Sequence, residues 1–396
     1  MVPPQFPQGN SRRHFLQGAG LATAAAVLGT RSRAESTPRA VVEEVRTISL
    51  QPQYYHGWPT VTRRRNGDLV LVVSGGREGH ICPFGRVEMM VSHDQGATWN
   101  WPQTILDSPS DDRDAGVLET ARGTLLATTF TSLAYERSLL DAEKKKGQPG
   151  AWPEERLQRW QAAYTRLNAE ERKANLGEWM VRSTDGGITW SARYPTLVNS
   201  PHGPTQLADG RLLYVGKQLW TTEQKAGVGE STDDGATWKW LADIPVRAGD
   251  SVTQYHELHA VEAGGGRVIA QIRNHNKTNS GETLQTESTD GGKSWTEPHS
   301  IGVWGLPSFL NRLRDGRLLM TYGHRRAPFG NQARVSTDAG RTWSEPLLIY
   351  GDGTSGDLGY PSTVEFDDSS LLTVWYEHMK DTPYAVLRQA RWKITT

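Results

Sequence analysis

Three residues whose side chains can give, take or hold a proton, Asp114, Glu257 and Tyr360, stand at one position of a recurring strand–turn–strand pattern. Each lies nine residues before the turn, and the same count in the other units gives Trp58, Pro201 and Pro307. Seven residues after each turn stand Ser74, Phe130, Lys217, Arg273, Gly323 and Tyr376. If the units surround one axis, two carboxyls, two phenols and two cations converge there. Unpaired charges buried together are costly, so the set reads as a site for an anionic ligand; a solvated polar channel is the alternative.

The elements that must position these groups are hairpins. Their turns fall at Gly67, Gly123, Gly210, Gly266 and Gly316, and at Ser369 in the sixth unit, each followed by apolar strand residues. A second motif, S-x-D-x-G-x-x-W, occurs five times, at Ser92 to Trp99, Ser183 to Trp190, Ser231 to Trp238, Ser288 to Trp295 and Ser336 to Trp343. Its Asp can accept turn N–H groups, its Gly can take positive φ, and its Trp can cover the turn. The Ser positions are 91, 48, 57 and 48 residues apart, a spacing that suits a four-stranded propeller blade.

Six hairpins predict an all-β, six-bladed β-propeller of four-stranded antiparallel blades over residues 41–396, with first strands lining the axis and box turns on the far face. The sixth blade has no box, and the strand Val41 to Leu50 is expected to pair with it and close the ring. The wide first gap holds an insertion in the second blade, at about residues 135–174. There Tyr135 to Lys146 and Pro153 to Ala174 carry apolar residues at helical spacing around the breaker Gly147-Gln-Pro-Gly150. A helical hairpin is expected, serving as a solvated decoration or as a lid.

Ser11-Arg12-Arg13-His14-Phe15-Leu16, followed by a weakly apolar run, is a twin-arginine export signal, and residues 1–34 are expected to be removed near Ala34. The run is too short and too rich in Ala and Gly to span a bilayer comfortably, so no stable membrane span is expected after processing. The twin-arginine translocon is then a partner during export, and the destination is the periplasm or the medium. Cys82 stands alone, so no intramolecular disulfide can form. Without a visible catalytic partner it reads as packing. The 44 basic and 44 acidic residues leave no formal net charge and no indication of a nucleic-acid partner.

The repeated box resembles the Asp box of the sialidase superfamily. Further segments resemble the exo-sialidase glycoside hydrolases residue by residue. Glu257-Leu-His-Ala-Val-Glu through Ile272-Arg273 is similar to the stretch with the catalytic Glu and a carboxylate-binding Arg, and Tyr360-Pro-Ser362 through Trp375-Tyr376-Glu377 to the stretch with the nucleophilic Tyr. His324-Arg325-Arg326 resembles the region supplying another Arg of the family's triad. The resemblance implies a Tyr360/Glu257 nucleophile–base pair, because a carboxylate nucleophile would be repelled by the acid on a sialic acid's anomeric carbon. It also implies Arg273 and Arg326 as a carboxylate clamp, with Arg325 and Tyr376 close by.

Two departures stand out. Where the family opens its first blade with Arg-Ile-Pro, this chain has Gly57-Trp58-Pro59, and no Asp lies between Gly79 and Cys82 to act as the family's general acid. Asp114, in the cluster Asp111-Asp112-Arg113-Asp114, or Glu78 could replace that acid with a raised pKa, while Arg77 and His80 could touch substrate. The aspartates could equally be turn formers paired with Arg113, and they lack the spacing of an EF-hand, so no metal or other cofactor is expected. His56, His202 and His256 read as rim histidines.

The function these features imply is an exported exo-glycosidase that hydrolyses a terminal acidic sugar, sialic acid foremost, from a glycan. The loss of the first Arg leaves open hydrolysis or elimination at another acidic sugar such as a uronate, and a non-catalytic glycan-binding propeller. Replacing Arg12 and Arg13 together by Lys is expected to leave full-length precursor in the cytoplasm, as seen by cell fractionation and immunoblotting. Normal accumulation outside the cytoplasm would refute the route.

Overall fold

The computed structural model describes residues 37–395. The twin-arginine segment and the expected cleavage site at Ala34 lie outside them. Six four-stranded antiparallel sheets form the blades of a propeller. The first strands of the blades are Tyr55–Arg63, Asp111–Glu119, Thr205–Gln206, Tyr255–Gly264, Ser308–Arg312 and Leu358–Glu365, and each pairs with the strand that follows it. The sixth blade takes its outer strand from the other end of the chain: Arg39–Thr47 runs antiparallel to Ala385–Thr395. The closing strand therefore begins two residues earlier and ends three sooner than expected. Adjacent blades pack face to face, as where Leu69 and Leu71 meet Val364, Leu372, Val374 and Leu387. Among the described residues no helix is long and apolar enough to cross a membrane.

The insertion forms three helices rather than two: α1 (Tyr135–Lys144), α2 (Glu154–Thr165) and α3 (Ala169–Ala174). The second expected helix is divided at Asn168, whose side chain accepts from the Glu171 N–H while the Glu171 side chain accepts from the Asn168 N–H. This reciprocal cap starts a new helix. Tyr135, Leu139, Leu157 and Trp160 pack together with Cys82 of the first blade, so the lone cysteine is a core residue.

The hairpin turns explain how the axis acquires polar groups. Gly67, Gly123, Gly210, Gly266 and Gly316 all take positive φ, and Ser369 takes φ 60° in the sixth turn. Nine residues earlier, Trp58, Asp114, Glu257 and Tyr360 also lie in the left-handed region, at φ 58°, 48°, 44° and 52°. At each of the four the pairing register of the first strand shifts: between Gly57 and Thr60, Arg113 and Gly116, His256 and His259, and Gly359 and Ser362. A bulge with a left-handed residue re-aims one side chain out of the strand's alternation. The remaining blades have Pro201 and Pro307 there, and a proline ring cannot adopt positive φ.

The boxes are turn staples. In the third, Asp233 Oδ1 accepts from Thr237 N–H at 2.9 Å and from Ser231 Oγ at 2.8 Å, Asp233 Oδ2 accepts from Thr237 Oγ1 at 2.6 Å, and Gly235 N–H donates to Ser231 Oγ at 2.9 Å. All five boxes share the Ser–Asp bond, at 2.7–2.8 Å. No box residue takes part in the axial cluster. Asp233→Ala is expected to lower stability by about 1–2 kcal/mol, the scale of a lost charge-assisted hydrogen bond, and to leave the axial site of the folded protein intact. Melting and ligand binding, measured separately, check this; unchanged melting with a lost site would contradict it.

Candidate active site

Four blades bring their left-handed residues to one end of the axis. Tyr360 Oη donates to Glu257 Oε1 at 2.5 Å across two blades. Arg273, on the strand beside Glu257, donates from Nη1 to Glu257 Oε2 at 2.6 Å and to Tyr360 Oη at 3.1 Å. Its Nε meets His275 Nε2 at 2.9 Å. Burial pushes the Glu257 carboxyl up, but Arg273, the Tyr360 hydroxyl and Arg325 outweigh it and hold the group below its ordinary range. Burial and the Glu257 charge together push the Tyr360 phenol well above its usual value, against Arg273. The pair is therefore a neutral phenol donating to a carboxylate.

Asp114 has the opposite character. It is 6 % exposed, and burial, followed by the charge of Glu257, raises its carboxyl to about 7 against the pull of Arg113, Arg273 and Arg77. Two carboxyls with divergent proton affinities beside one phenol can supply a base and an acid at neutral pH. The other members of its cluster serve the fold: Asp111 receives both Nη atoms of buried Arg77, at 2.6 and 3.0 Å, and Asp112 Oδ2 accepts from Ser108 N–H at 2.7 Å.

Trp58 fills the first blade's axial position. It is buried, with the guanidinium carbons of Arg77 and Arg113 4.9 and 4.5 Å from its ring centre. Gly57, the residue before it, stands where the exo-sialidase pattern has an arginine, and Arg77, a candidate for substrate contact, is enclosed by Asp111. His80 and Tyr376 meet at a residue that sequence reasoning missed. Asp357 Oδ1 accepts from Tyr376 Oη at 3.1 Å and Tyr55 Oη at 3.0 Å, and lies 3.2 Å from His80 Nδ1. Its only sequence signal was its place three residues ahead of Tyr360.

Two candidates point elsewhere. Glu78 turns outward to the insertion, accepting from Trp160 Nε1 at 2.9 Å and from Arg159 Nη2 at 2.8 Å, so it anchors α2 and does not face the axis. Arg326 is exposed, stacks 4.2 Å from the Trp304 ring centre and donates to His324 Nε2 at 3.2 Å. Its neighbour Arg325 takes the inward place, 5.4 Å from the Tyr360 ring centre, with Nε and Nη2 buried and without a hydrogen-bond partner. Beyond the end of strand Leu318–His324 consecutive side chains diverge, and the apolar face of Trp304 captures one of them. Arg325 rather than Arg326 is therefore the arginine placed beside Tyr360. Of the three histidines, His256 lines a cavity beside Glu257, whereas His56 and His202 are buried.

The profile of the BNR repeat-like domain matches residues 147–373, and the chain belongs to that family of sialidase-like propellers. Residues 9–29 match the signal sequence of the twin-arginine translocation pathway, which directs the protein out of the cytoplasm to the periplasm or medium. No curated protein matches the chain. Among solved structures, it is similar to a protein of unknown function from Dyadobacter fermentans, with 22 % identity, TM-score 0.72, and 90 % of this chain and 99 % of that one covered. The NanB sialidase of Streptococcus pneumoniae shows 14 % identity and TM-score 0.60, over 89 % of this chain and 70 % of that one. An alpha-L-arabinanase of Penicillium chrysogenum shows 13 % identity and TM-score 0.56, over 88 % and 98 %. At these identities the likeness is one of fold.

Proposed function

We propose that this exported propeller is a glycoside hydrolase that removes a terminal acidic sugar from a glycan, with sialic acid the favoured substrate. The observation that carries the reading is the 2.5 Å contact of Tyr360 Oη with Glu257, set beside an acid, Asp114, that holds its proton to about pH 7. The sialidase and the intramolecular trans-sialidase that share this fold support the same chemistry.

In this reading Tyr360 Oη attacks the anomeric carbon while Glu257 takes the phenolic proton. The bond to the glycosidic oxygen breaks, and Asp114 gives that oxygen its proton. Water then attacks the glycosyl–tyrosine, surrendering a proton to the Asp114 carboxylate, and the Tyr360 oxygen leaves with the proton held on Glu257. Arg273 and Arg325 meet the sugar's acid group. The loss of the first arginine, where this chain has Gly57, favours a second reading within the same chemistry: a glycine cannot pair with a carboxylate as an arginine does, so the acid group sits differently, as in a uronate.

Hydrolysis of aryl glycosides of sialic, uronic and neutral sugars by the mature protein separates the readings. Release from the sialoside alone supports the first, release from a uronide alone the second, and binding without turnover makes the protein a lectin. On the substrate so found, Tyr360→Phe and Glu257→Gln are each expected to lower kcat by roughly 100-fold or more with melting little changed, and the double variant to be barely worse, because groups acting as a unit are non-additive. Near-normal turnover by Tyr360→Phe would overturn the mechanism.

The pH profile tests the acid. Asp114 must be protonated to act, so kcat/KM is expected to fall as pH rises through about 7. The opposite limb, set by Glu257, lies below the usual carboxylate range. Asp114→Asn is expected to be slow and to lack the alkaline limb; a limb that persists assigns the acid elsewhere.

A further inference from the structure

Lys217 ends the second strand of the third blade and is 3 % exposed. Its ammonium donates to the carbonyl oxygen of Thr253 at 2.7 Å, and among the described residues no carboxylate reaches it within ion-pairing distance. A buried cation normally has a counter-ion, because stripping its water is expensive; burial accordingly lowers this ammonium to about 8. Asn199, 5 % exposed, pairs with Lys217 through the backbone and leaves its Nδ2 without an acceptor. Both residues line one cavity of about 240 Å³.

The rest of that cavity identifies what it could hold. Asp114 and Glu257 close one side, and Phe130 and Trp220, 6.4 Å apart between ring centres, supply an apolar wall. Such a wall suits the face of a sugar ring. Neither Arg273, Arg325 nor Tyr360 contributes to its lining, so a carboxylate beside Lys217 is not the one beside Arg325. Two cationic receptors therefore serve two different groups.

We propose that Lys217 and Asn199 form a second anion subsite, on the Asp114 side of the Tyr360–Glu257 pair, which takes a carboxylate of the residue that leaves. The favoured glycan is then one in which an acidic sugar is linked to another acidic sugar. The assignment to the leaving side rests on Asp114 as the acid that protonates the glycosidic oxygen; the existence of the subsite does not.

Binding to the Tyr360→Phe protein by calorimetry tests it, with disialic acid and digalacturonic acid as two-acid probes. Sialyllactose and the digalacturonic acid selectively reduced at its reducing-end carboxyl serve as one-acid counterparts. At least one two-acid probe is expected to bind about tenfold tighter than its counterpart, the scale of one charged hydrogen-bonded contact. Lys217→Met is expected to erase that gain and Lys217→Arg to keep part of it, with melting recorded for each. Should Lys217→Met fail to fold, Lys217→Gln is judged by the same ratio. Equal binding of two-acid and one-acid probes, no binding of either two-acid probe, or a gain that survives loss of the ammonium would overturn the subsite. These readouts are ratios of affinities, whereas the hydrolase reading fails on turnover, so the two failures are distinguishable.

Discussion

A bulge at the start of the first strand in four of the six blades is the constraint on which the site depends. An ordinary strand alternates its side chains between the two faces of a sheet, and in a propeller those faces are buried against neighbouring blades. To aim a side chain down the axis the strand has to break its alternation, and here it does so with a left-handed residue at Trp58, Asp114, Glu257 and Tyr360. That conformation costs an L-residue roughly 1–3 kcal/mol. The regular pairing that follows each bulge, as from Thr60 to Arg63 against Val72 to Leu69, holds it in place. The same stiffness keeps the aimed groups from relaxing away from one another.

Once aimed, the groups set each other's proton affinities. Arg273 touches both Glu257 and Tyr360, which keeps the half-buried glutamate charged. Burial and, after it, that charge hold the protons of Tyr360 and Asp114 on. A phenol, a carboxylate and a carboxylic acid then coexist at neutral pH, which isolated side chains of these types would not do. The first blade contributes no charge at this level. Its indole instead packs against two guanidinium groups, those of Arg77 and Arg113.

The helical insertion bears on the site through the first blade. Glu78 ties α2 to the loop that also carries His80, and Cys82 of that loop sits in the apolar core of the helices. His80 then meets Asp357, which joins Tyr55 and Tyr376 beneath it. The helices thus brace a loop at the rim of the site.

The number of blades, the closing strand, the box turns and the four axial residues were legible in the chain itself, because each depends on a turn of a few residues repeated at a fixed interval. Counting from Gly67 or Ser369 works since the stretch between the turn and the axial position has the same length in every blade. What the interval could not carry was direction beyond the strand ends. Arg325 and Arg326 are neighbours with the same chemistry, and only the position of Trp304 decides which of them turns inward. Glu78 looked like an acid near the axis until Trp160 and Arg159, some eighty residues later, claimed it. Asp357 belongs to no repeat, and the cavity around Lys217 joins repeat positions, Asp114, Phe130, Lys217 and Glu257, to Asn199 and Trp220, which lie outside the repeat. Local backbone geometry was therefore written in the sequence, while the partners of each side chain were decided by packing between segments far apart along the chain.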